Sequence, residues 1–68
     1  MSRYIVNIII QGFTCYEVLD IDEVVELEDS YNIIAGNTEM FLDKDHCIIG
    51  QDIIIYRDND IEVYFEAA

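Results

Sequence analysis

The sequence predicts a mainly β fold: a small antiparallel sheet or meander of hairpins, in one domain spanning residues 1–68. Three observations carry the prediction. Residues 61–66 alternate cleanly, with Ile61, Val63 and Phe65 on one side and Glu62, Tyr64 and Glu66 on the other. Isoleucine, a strand former, clusters at 8–10, 33–34, 48–49 and 53–55. Residues suited to tight turns stand between these runs, and the chain has no proline.

Residues 3–10 form the first strand, with Tyr4, Val6, Ile8 and Ile10 on one face and Ile5, Asn7 and Ile9 on the other. Gln11-Gly12 supplies a turn, and 13–18 runs back with Phe13 and Cys15 opposing Thr14 and Tyr16. Residues 20–29 admit two readings. As a strand, they turn Val25 and Leu27 inward and Glu26 and Glu28 outward. As part of one short helix near residues 20–34, they use Asp20 as N-cap and Glu23 to complete a capping box. Val24, Leu27, Tyr31 and Ile34 then follow at helical spacing. Adjacent Val24-Val25 and the run 31–34 favour the strand. A hairpin joins 31–35 to 38–42 through Gly36-Asn37. Asp43-Lys44-Asp45 turns the chain into 47–49, 52–56 is a short strand, and 57–60 turns into the last strand.

The strands at 3–10 and 52–56 are apolar on both faces, so each is either covered twice or paired across a subunit boundary. A chain of 68 residues buries only about 60% of the surface its unfolded form exposes, and such domains usually need a staple. Cys15 and Cys47 do not make a disulfide framework. Self-association as a homodimer is the expected staple. An apolar content of 53% argues against disorder despite the charge.

That charge is the strongest constraint on function. Fifteen acidic side chains face three basic ones, the formal net charge is −12, and no Lys or Arg lies between Tyr4 and Asp43. Nucleic acids, anionic membranes and phosphate-bearing substrates are poor partners for such a surface, and a basic protein is a good one. The acids cluster as Glu17, Asp20, Asp22, Glu23, Glu26, Glu28 and Asp29, then Asp43 and Asp45, then Asp58, Asp60, Glu62 and Glu66. Carboxylates at alternate strand positions repeat at about twice the ~3.3 Å rise per residue. That spacing is of the order of successive DNA phosphates, through which duplex DNA is largely bound. Tyr64, flanked by outward Glu62 and Glu66, is the expected aromatic anchor for a partner.

Other chemistry is poorly provided for. Asp58-Asn59-Asp60 opens like an EF-hand loop, but Val63 stands where that loop needs glycine. His46 is the only histidine, and a domain of this size has little volume for a pocket, so neither an enzyme nor a cofactor or metal site is expected. Apolar runs fall far short of the ~20 residues of a membrane helix. Arg3 followed by an apolar run is only a faint signal-peptide pattern, interrupted by Asn7 and Gln11. A cytoplasmic location is expected.

In size, charge and isoleucine-rich sheet pattern, the chain resembles the small acidic DNA-mimic proteins of bacteriophages, and most nearly the inhibitors of the bacterial histone-like protein HU. The resemblance covers the whole chain but rests on no spaced motif. It implies a dimer in the host cytoplasm whose acidic faces fill the DNA-binding arms of an HU-like protein. The alternative is an acidic antitoxin or adaptor that binds one basic partner without imitating DNA.

Overall fold

In the computed structural model, which describes residues 2–68, the alternating segments become eight strands and one 3₁₀ turn. The strands are β1 (Ser2–Ile10), β2 (Phe13–Ile21), β3 (Glu23–Glu26), β4 (Ser30–Ala35), β5 (Thr38–Asp43), β6 (Cys47–Ile49), β7 (Ile53–Asp58) and β8 (Ile61–Ala67). The 3₁₀ turn, Lys44–His46, lies between β5 and β6 and is capped by the Asp43 carboxylate, which accepts a hydrogen bond from the Asp45 amide. The fold is mainly β, and every strand pairs antiparallel with its neighbours. Two sheets result, one of five strands in the order β2-β1-β8-β7-β6 and one of three in the order β3-β4-β5.

Two-residue turns set the registers. Ile10 pairs with Phe13 across Gln11-Gly12, both at positive φ (50° and 85°), as a hairpin with right-handed strand twist requires. Ala35 pairs with Thr38 across Gly36-Asn37, where Gly36 takes φ 61°. The turn expected over 57–60 tightens to Asn59-Asp60, so β7 extends through Asp58.

No helix forms at 20–34. Asp20, the supposed N-cap, is instead bonded to Arg3 across the β1–β2 ladder, and the Asp22 carboxylate accepts from the Gly36 amide at 2.8 Å. Asp22 is the break: β2 ends at Ile21, and the Asp22 amide donates to the Ile34 carbonyl as the chain crosses to the smaller sheet. On β3 the register and the burial point to different valines: Val25 is half-buried, while Val24, Glu26 and Glu28 are exposed. Val24 pairs with Ile33 and Glu26 with Tyr31, so the register sets these two on the face of Ile33 at an exposed edge, and Val25 beside Asn32 on the other face. Leu27 lies beyond β3 and is exposed. With two valines adjacent, the apolar pattern did not specify which faces inward.

The core lies between the sheets. Val6, Phe65 and Ile54 form one row across β1, β8 and β7, and meet Ile33 and Leu42 of the smaller sheet, with Ile21 at the crossing. Full burial of a side chain of this size stabilises by roughly 1.5–3 kcal/mol. The opposite face of the larger sheet is open. Tyr16, Asn7, Tyr64, Ile55 and Ile48 are aligned across all five strands there, and Ile5 and Val18 are exposed beside them. The doubly apolar first strand is therefore paired on both edges, between β2 and β8, but covered on one face only.

Candidate functional site

Charge is divided between the sheets. Residues 22–45 make up the three-stranded sheet with its adjoining loops and carry eight of the fifteen acids, with Lys44 as their sole basic residue. The outer face of the larger sheet carries Arg3 and Arg57 against Asp20, Glu62 and Glu66, and is otherwise dominated by apolar and aromatic groups. The three-stranded sheet with its loops is thus the more densely anionic part of the chain, and the outer face of the larger sheet is almost charge-balanced.

Glu23 and Glu39 flank Ile34 on the outer face of the smaller sheet. Glu28 and Asp29 occupy the β3–β4 connection, exposed, and Asp43 and Asp45 follow at the end of β5. Lys44 reaches from this end to Glu26, Nζ to Oε2 at 2.8 Å, and its ammonium lies 5.2 Å from the centre of the Tyr31 ring. The hydrogen bond to Glu26 raises the Lys44 pKa above its ordinary value, with Asp29 adding a smaller contribution. The Lys44 amide also donates to the Asp29 carbonyl, which ties the connection to the 3₁₀ turn.

Asp58 lies at the end of β7, where its carboxylate accepts from the Tyr56 hydroxyl at 3.3 Å. Burial first, and then the Asp58 and Asp43 charges, push the Tyr56 phenol above its ordinary pKa. Asp60 sits at the β7–β8 turn and accepts the Gln11 amide through its carbonyl.

On the opposite face, Tyr64 donates to Glu62 at 2.8 Å and accepts from Arg57 at 3.2 Å, so the expected aromatic anchor is held in one orientation. Glu66 lies exposed two residues further along β8. Asp20 is hydrogen-bonded to Arg3 at 3.0 Å, which holds its carboxyl below the usual carboxylate range. Any contribution of that pair to stability exists above the carboxylate range and fades as pH falls through the lowered value. Solvent exposure makes it small.

The acids of 20–29 therefore do not form one continuous ridge. Asp20 belongs to the open face of the larger sheet, Asp22 is committed to the Gly36 turn, and Glu26 is ion-paired. Glu23, Glu28, Asp29, Asp43 and Asp45 remain as exposed members of the acidic side. Sequence reasoning missed Glu39, which completes that side. The alternation of 38–42, with Met40 and Leu42 inward, would have found it.

It also missed a cavity. An apolar cleft of about 590 Å³ opens between the sheets, lined among others by Ile8, Leu19, Met40, Tyr56 and Val63, with Glu17 at its wall. The expectation of little pocket volume is corrected accordingly.

Among the described residues no group of three or more His, Cys, Asp or Glu is arranged to hold a metal ion, and no helix is long and apolar enough to cross a membrane. Cys15 and Cys47 are free thiols, and partial burial raises the Cys47 pKa. His46 sets its ring edge-on to Tyr56, centroids 6.2 Å apart. No family model, no curated protein and no solved structure matches the chain.

Proposed function

We propose that the protein is a DNA mimic that inhibits a basic DNA-binding protein, of which HU is the model target, by filling its nucleic-acid site with carboxylates. The observation that carries this reading is the concentration of acids on the three-stranded sheet and its loops, where Glu23, Glu28, Asp29, Glu39, Asp43 and Asp45 stand on fixed strands and short connections. A rigid anionic surface offers a basic groove much of what phosphates offer, without the cost of ordering a flexible acidic tail. The five-stranded sheet acts as the scaffold.

The test is competition. Labelled duplex DNA bound to HU is titrated with the protein at about 50 and 200 mM salt, and the DNA is released in proportion to occupancy. Affinity for HU falls at least about tenfold between the two salt concentrations, because many screened charge contacts supply it. Combined Glu23→Lys, Glu28→Lys and Asp45→Lys changes abolish displacement, whereas each single neutralisation has little effect. Salt-insensitive binding, or binding that excess DNA leaves untouched, would overturn the mimicry. The latter result would favour the second reading, an adaptor or antitoxin gripping one basic partner by shape. The open face bearing Tyr64, Tyr16 and Ile5 supports that reading, since aromatic residues framed by polar groups are typical of protein interfaces.

A further inference from the structure

We propose that β2 is a dimerisation edge, at which two copies of the chain pair antiparallel about a two-fold axis through Tyr16 and join their five-stranded sheets into one of ten. The inference rests on comparing the four strand edges the two sheets present. β3 is four residues long and carries Glu23 and Glu26, and β5 carries Glu39 and Asp43. Charges of this kind guard an edge against pairing. β6 is only three residues long.

β2 is the least protected: over nine residues it carries two acids, Glu17 and Asp20, and Asp20 is neutralised by Arg3. Phe13 to Val18 are all exposed, with Phe13 at 78%, Tyr16 at 72% and Val18 at 66%. Its ladder is made with β1, and among the described residues no backbone hydrogen bond outside that ladder involves 13–21. A long, apolar, unpaired edge is a template for another strand.

Electrostatics selects a second copy at this edge. Charged residues make up 26% of the chain, yet 13–19 contain only Glu17. Two molecules of charge −12 can approach here with the least opposition. The register follows. Antiparallel self-pairing requires the axis to fall on a residue, because paired residues share the same hydrogen-bonding direction. An axis at Glu17 would oppose two carboxylates, and one at Cys15 would set Glu17 against Phe13. At Tyr16 the two tyrosines face each other, Thr14 meets Val18 of the partner subunit, Cys15 meets Glu17 of the partner subunit, and Phe13 meets Leu19 of the partner subunit. No like charges are opposed. The acidic sides remain free, so the proposal stands whether or not the target is a DNA-binding protein.

Sedimentation equilibrium of the full chain gives twice the 7.9 kDa chain mass at micromolar concentration. Thr14→Glu with Val18→Glu, both exposed positions, opposes carboxylates in two pairs. It weakens the dimer at least about a hundredfold while circular dichroism keeps its β signature. In a Cys15→Ser, Cys47→Ser background, Tyr16→Cys oxidises to a covalent dimer, because directly opposed Cα atoms lie about 4.5–5.5 Å apart. Val18→Cys does not, since the two copies of that position lie roughly 13 Å apart along the strands. A wild-type chain that stays monomeric overturns the proposal. So does a dimer that cross-links through Ile48→Cys on β6 and not through Tyr16→Cys.

Discussion

Gln11 is a residue in an unfavourable conformation. At φ 50° it occupies the left-handed region, which costs an ordinary side chain roughly 1–2 kcal/mol, and it does so because a two-residue hairpin turn needs positive φ there. Asparagine tolerates that region and keeps the amide that donates to Asp60. Gln11→Asn therefore stabilises the domain by about 0.5–1 kcal/mol, read as a rise in urea midpoint at unchanged slope. At this scale the sequence was readable where one residue type dominates a conformation, as at Gly36. It was silent where a side chain had several possible partners. Nothing in the neighbourhood of Asp22 announces that its carboxylate will hold the Gly36 amide, and nothing near Arg57 announces its hydrogen bond to Tyr64.

Strands with clear alternation were legible as elements, and their burial has measurable weight. On β4, Ile33 is fully buried against both sheets, while its neighbour Ile34 faces outward between Glu23 and Glu39. Ile33→Ala leaves a cavity and costs about 2–5 kcal/mol, whereas Ile34→Ala costs less than about 1.5 kcal/mol, a contrast that urea denaturation of the two variants measures. The difference is invisible in the dipeptide itself and emerges only from the pairing. The same ambiguity holds at Val24-Val25, where the register sets Val24 opposite Ile33 but Val25 is the less exposed. Division into two sheets was illegible for a related reason. Residues 20–29 read as one segment, and only the hydrogen bond from Asp22 to Ile34 shows where the chain leaves one sheet for the other.

For the whole molecule, fifteen acids and three bases make self-repulsion a global term opposing the compact state. Raising sodium chloride from about 20 to 200 mM therefore raises the melting temperature, as the Debye length shrinks to about 7 Å. A melting temperature independent of salt would mean that local pairs, and not the overall charge, govern the balance. The quantity of charge was legible from composition, but its segregation onto the smaller sheet was not, because that depends on which loops the fold brings together. Strand order carries a further consequence for synthesis. β1 and β2 lie at the start of the chain, and β8, which fills the place between β1 and β7, comes last. During translation, the leading hairpin, complete at Ile21, must wait until β8 (Ile61–Ala67) has been added roughly forty residues later before its neighbour exists, a delay characteristic of non-local pairing. Its isoleucines stay uncovered throughout that interval, on the stretch of chain that carries the least charge, with only Arg3 and Glu17 among residues 1–19.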